Sequence, residues 1–80
     1  MTTEQSARCR AIREKRNILR DRYGGLMTLT QLSEEIGYKD VRFAKKWAQE
    51  VQLECVQIGR SVRYDTDHLA KILVDRRVVA

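Results

Sequence analysis

The chain has 80 residues, enough for one small domain that buries roughly 60% of the surface of its unfolded form and too few for an enclosed catalytic cavity with a supporting shell. Its formal net charge of +5 and pI near 9.6 favour a polyanionic partner, either nucleic acid or an acidic surface, without choosing between them. No apolar run approaches the roughly 18 residues that span a bilayer, the N-terminus lacks the apolar core of a secretory signal, and Cys9 and Cys55 are too few for a disulfide scaffold. The expectation is a soluble chain in a reducing cytoplasm.

Thr3 to Tyr23 contains no Gly or Pro and is dominated by Arg, Glu, Lys, Ile and Leu, which predicts a helix with Thr3 or Ser6 as N-cap. Its apolar stripe is thin. Ala7, Ala11, Ile18 and Leu19 are the residues expected to rest on the domain, with Arg8, Arg10, Arg13, Lys15, Arg16, Arg20 and Arg22 pointing elsewhere. Residues 1–24 hold seven Lys/Arg against three Asp/Glu, whereas residues 25–80 hold nine against eight, so the basic excess is N-terminal. Gly24-Gly25 ends this helix and supplies a hinge. The partition expected is a basic helical extension over 1–25, a domain over 26–75 and a frayed C-terminus over 76–80.

Thr28-Leu29-Thr30-Gln31 reads as a capping box opening a short helix. Leu29, Leu32 and Ile36 form its apolar stripe, and Gly37 stops it. Glu34-Glu35 reads as its solvated side. Asp40 is the expected N-cap of the next helix, in which Val41, Ala44, Trp47, Ala48 and Val51 face the core and Phe43 lies at the edge of the buried arc. At 100° per residue, Arg42, Lys46 and Gln49 fall on the opposite face with Lys45 flanking them.

Leu53 to Ile58 is partly alternating, with Cys55 expected to behave as a small hydrophobe. Val62-Arg63-Tyr64 resumes after the turn Gly59-Arg60-Ser61, and together they predict a β-hairpin. Asp65 or Thr66 caps a last helix with Leu69, Ile72 and Leu73 inward. The predicted class is mainly α with a small β-hairpin wing, a winged helix-turn-helix.

Arg42, Lys46 and Gln49 place donors on consecutive turns of one helix face, which reading a base sequence requires: Arg pairs bidentately with guanine, Gln with adenine, and Lys with guanine or phosphate. A solvated face is the plainer alternative, and it loses ground when the helix directly follows a helix-turn signature. Arg60 and Arg63 either reach a groove or phosphates or solubilise a hairpin tip, and Ser61 adds an uncharged phosphate donor. Thr28, Lys39, Arg16 and Arg20 are candidates for contacts to the DNA backbone. The basic extension fits DNA contact, a partner surface or simple solvation.

His68 is the only histidine and the cysteines lie far apart, so no metal-ligand spacing, catalytic set or phosphate loop is present and no cofactor is implied. His68 reads as a helix-start residue near Asp67. Trp47 reads as core rather than as a stacking platform for single strands.

Met27-Thr28, Ile36-Gly37, Trp47, Leu53, Val56-Gln57-Ile58-Gly59-Arg60, Val62-Arg63-Tyr64, Leu69 and Leu73 resemble the outline of the excisionase-like DNA-binding domains, relatives of the DNA-binding half of mercury-resistance-type regulators. The resemblance covers about residues 26–74. It implies a winged helix-turn-helix without catalysis, recognition-helix contacts through Arg42, Lys45 and Lys46, and wing contacts through Arg60 and Arg63. The expectation is a phage or mobile-element protein, cytoplasmic and nucleoid-associated, that binds double-stranded DNA as a transcriptional regulator or as a recombination directionality or architectural factor. Partners would be a second copy in a homodimer or cooperative array, or a recombinase or other phage protein, with no membrane. The rival expectations are the DNA-recognising small subunit of a phage packaging machine and a winged-helix protein-interaction module.

Overall fold

A computed structural model describes residues 3–77, with side chains from residue 6 onward. The elements in chain order are α1 (Thr3–Tyr23), β1 (Leu26–Met27), α2 (Leu29–Ile36), α3 (Val41–Glu50), β2 (Cys55–Ile58), β3 (Ser61–Asp65) and α4 (Thr66–Asp75). The molecule is thus mainly helical with a small antiparallel sheet, and the expected sequence of helix, turn, helix and hairpin is present. Ser6 lies inside α1, so it is not its cap, and the Thr3 side chain lies outside the described residues. Arg76 and Arg77 still donate backbone N–H groups to Ile72 and Val74 at the end of α4, while residues 78–80 of the expected frayed end lie outside the described residues.

The local signals operate as their chemistry requires. Thr28 Oγ1 accepts from the Gln31 N–H at 3.1 Å while Gln31 Oε1 accepts from the Thr28 N–H at 2.9 Å, closing a reciprocal capping box. Gly37 ends α2 at φ +87°, a left-handed conformation that costs glycine little. Ser33 is buried, and its hydroxyl donates to the Tyr38 carbonyl. With the Gly37 and Tyr38 N–H groups both donating to the Ser33 carbonyl, Ser33 ties the turn between α2 and α3 from both its side chain and its backbone.

The close of α3 is less economical. Gln52 sits at φ +56°, the only described non-glycine residue with positive φ, while the Leu53 N–H donates to the Ala48 carbonyl at 2.9 Å. That is a Schellman closure with glutamine where glycine is usual. Replacing Gln52 with glycine is expected to stabilise the fold by about 0.5–1 kcal/mol, because relief of left-handed strain exceeds the added entropy of the unfolded chain. A urea titration showing no gain would mean that Gln52 is not strained there.

The sheet has three strands in the order β1-β3-β2, not two. Leu26 pairs with Asp65 and Met27 with Tyr64, while Cys55 to Ile58 pair with Tyr64 to Ser61. Ser61 therefore belongs to a strand, and the turn is the two residues Gly59-Arg60. Gly59 at φ +61° supplies the positive φ that a tight hairpin turn of the II′ kind needs at its first position. Cys55 is exposed, not apolar filling, because the hairpin projects beyond the core. Only Tyr64 of β2 and β3 is buried.

One core collects Leu19, Met27, Leu32, Ala48, Leu53, Tyr64, Leu69, Ala70 and Ile72, with Tyr23, Ile36, Trp47 and Leu73 packed around it. Trp47 is half-buried, so it walls the core more than it fills it. Leu19 is fully buried, whereas Ile18 is 53% exposed. Of the expected Ala7, Ala11, Ile18 and Leu19, Leu19 enters the core, Ala11 is half-buried, and Ala7 and Ile18 face solvent, while Tyr23 packs against the core beside Leu19.

α1 runs antiparallel along α4. Arg8 Nε and Nη2 donate to Asp75 at 2.7 and 2.9 Å, and Arg20 Nε and Nη2 to Asp67 at 2.6 and 2.8 Å. These basic residues thus flank the buried stripe, and what they fix is chiefly register, since exposed pairs contribute little to stability.

Two polar groups have unforeseen roles. Glu35 is not a solvated acid: only 10% of its side chain is exposed, Arg22 donates to it at 2.9 Å, Tyr23 Oη donates at 3.0 Å, and Lys15 lies 3.6 Å away. His68 Nδ1 accepts from the Glu54 N–H at 2.8 Å, tethering the start of the hairpin to α4. Thr66, fully buried, has a hydroxyl with no hydrogen-bond partner among the described residues. Thr66→Val keeps the shape and removes that unpaired group, so a gain of about 1 kcal/mol is expected, seen as a rise of about 4–8 °C in melting temperature. A fall would show that the hydroxyl has a partner.

Candidate nucleic-acid interface

Asp40 starts α3, its Oδ1 accepting from the Arg42 N–H at 2.9 Å. The cap fixes the rotation of the helix, and burial of Ala44 and Ala48 turns the opposite face to solvent. Arg42, Lys45, Lys46 and Gln49 are all exposed on that face. Glu50 follows them in the last turn and is the acidic residue of the helix.

Arg42 and Asp40 interact through their side chains as well. Nη2 lies 2.7 Å from Oδ2, and Nε lies 3.2 and 3.1 Å from the two carboxylate oxygens. The charge-assisted bonds hold the Asp40 carboxyl below its ordinary range and raise the Arg42 guanidinium above its own. Neither Lys45 nor Lys46 has a carboxylate within ion-pair distance among the described residues, so both cations are available to an external anion.

The hairpin stands beside this face. Lys45, Gln49 and Gln52 from α3 and its closing turn, together with Leu53, Cys55, Val62 and Tyr64, line a groove of about 210 Å³. Strand register places Cys55, Gln57, Val62 and Tyr64 on one face of the sheet and Val56, Ile58, Ser61 and Arg63 on the other. Arg60, at the turn, is exposed and projects from the tip. Arg63 is half-buried and lies on the sheet face away from the groove.

Thr28 spends its hydroxyl oxygen as the acceptor of the α2 cap, with its proton still free to donate. Lys39 is exposed in the turn before α3. Arg16 is half-buried on α1, and Arg20 is held by Asp67, which leaves it a weaker candidate for a backbone contact than Lys39. The charge excess of α1 is largely answered internally by Asp75, Asp67 and Glu35, an arrangement that no pattern within residues 1–24 announces.

Among the described residues, no group of three His, Cys, Asp or Glu side chains is arranged to hold a metal ion. No helix among the described residues is long and apolar enough to cross a membrane. Comparison with protein-family models, with curated proteins and with solved structures finds no match.

Proposed function

We propose that this chain binds double-stranded DNA as an excisionase-like winged helix-turn-helix protein, with α3 in the major groove and the Gly59-Arg60 tip of the hairpin reaching the flanking backbone or minor groove. The observation that carries this reading is the exposed set Arg42, Lys45, Lys46 and Gln49 on one face of α3, beside a groove walled by the hairpin. A helix-turn-helix presents its second helix in this way, with the early residues nearest the base edges. The proposed roles are Arg42 and Gln49 at bases, Lys45 and Lys46 at phosphates or guanine, and Arg60, Ser61, Arg63, Lys39 and Thr28 at the backbone.

A single module of this size covers about 600–1,000 Å² of protein surface on DNA, so useful affinity requires a second copy, a cooperative array or a recombinase-type partner. The output proposed is transcriptional control or architectural assistance to recombination, in the bacterial cytoplasm, from a bacterial or phage gene.

Fluorescence anisotropy against a random duplex and the duplex upstream of the chain's own gene, over several salt concentrations, tests the reading. The expected log–log salt slope is about −4 to −5, for four to six phosphate contacts at roughly 0.9 each, with tighter binding to the upstream duplex. Flat, weak curves for both would reject it. They would favour the second reading, a protein-interaction module, which has its own support in the exposed apolar residues Leu26, Val56 and Ile58 on the outer face of the sheet.

A further inference from the structure

We infer that Asp40 is a positioning residue for base recognition, holding one edge of the Arg42 guanidinium so that the other edge is presented to a guanine; the inference rests on the DNA-binding reading above. Asp40 already caps α3 through the Arg42 N–H. Its grip on the Arg42 side chain is additional, and it is made on a group that is 88% exposed. Exposed pairs of this kind add little to stability, so the pair has scant value as a brace for the fold.

Its geometry has a specific consequence. A guanidinium carries five N–H donors in a rigid plane. Asp40 engages the edge formed by Nε and Nη2. The end edge, with Nη1–H and the second Nη2–H side by side, stays open, and two parallel donors of that kind match O6 and N7 of guanine. A free arginine samples many rotamers and forfeits that entropy on binding, whereas one already held in place forfeits less.

The position fits the same role. Arg42 lies in the first turn of α3, where a recognition helix approaches base edges. A carboxylate there repels phosphates and lowers affinity for DNA at large. Asp40 therefore exchanges general attraction for discrimination, an effect that a plain helix cap does not produce.

Asp40→Asn separates the two roles, since asparagine caps a helix as well as aspartate does but lacks the charge that grips the guanidinium. The full-length wild type, Asp40→Asn and Arg42→Ala are each used to select from a pool of duplexes with a randomised core, and the retained duplexes are sequenced. The wild type is expected to enrich a G·C pair at one position roughly tenfold, and Arg42→Ala to lose that enrichment. Asp40→Asn should flatten the same position to roughly threefold, leave the other positions unchanged, keep the wild-type melting temperature, and hold random duplex at least as tightly as the wild type. If Asp40→Asn selects as sharply as the wild type while Arg42→Ala does not, the inference fails and DNA reading stands. A wild type that retains no duplex overturns both.

Discussion

Leu19→Ala is expected to remove about 3 kcal/mol of stability, because it opens a cavity at a fully buried position where α1 meets α4. For 80 residues the whole stability is on the order of 4–12 kcal/mol, so this one side chain carries a quarter or more of it. The melting temperature should fall by roughly 12 °C or more. Ile18→Ala, one residue earlier at an exposed site, should stay within about 0.5 kcal/mol of wild type. The reverse ranking would mean that α1 is rotated on the domain. Acid gives an independent check. Arg20 holds Asp67, and Arg8 holds Asp75, below the usual carboxylate range. Carboxylates lowered in the folded state stabilise it above their ordinary pKa and lose that contribution as pH falls through the folded value. Both pairs are exposed and contribute little to stability, so acid should loosen only the register of α1 on α4 below about pH 4, seen as a small rise in hydrogen exchange along α1 ahead of α4.

The contrast between Leu19 and Ile18 shows where the sequence was legible. Thr28-Gln31, Gly37 and Asp40 act within a few residues of themselves, and each performs the local task its chemistry predicts. The exposed face of α3 was legible for the same reason, since helical geometry needs only the buried face to be right. α1 offered too few apolar residues to fix its rotation, and the basic residues around them concealed the stripe. Their partners, Asp67, Asp75 and Glu35, lie 13 to 67 positions away in the chain, beyond any periodicity. β1 is only two residues long, too short to alternate, and exists because β3 offers an edge to pair with. His68 reads from the sequence as an ordinary helix-start residue and no local pattern marks Ser33; their bonds to Glu54 and Tyr38 depend on turns that bring those backbone groups back. Within the candidate interface, the face that Arg63 takes follows from strand register, which shifts with the length of the turn.

The double variant Lys45→Ala/Lys46→Ala is expected to weaken duplex binding by about one to two orders of magnitude near physiological salt and to reduce the salt slope by about 1.8, the share of two released phosphate contacts. Both side chains are exposed and unpaired among the described residues, so folding should change by no more than about 0.5 kcal/mol and the loss reports on binding alone. Removing two positive charges also lowers general attraction, and a matched control separates the causes. Arg10→Ala/Arg13→Ala deletes the same charge from exposed positions on α1. At about 0.15 M salt, charge acts over about 8 Å, so residues outside the interface should matter several-fold less than residues inside it. A large loss from α3 beside a small loss from α1 supports α3 as the DNA face. Equal losses would make net charge the cause, and a larger loss from Arg10 and Arg13 would move the interface to the outer side of α1, where these two arginines are free of the acids that hold Arg8, Arg20 and Arg22.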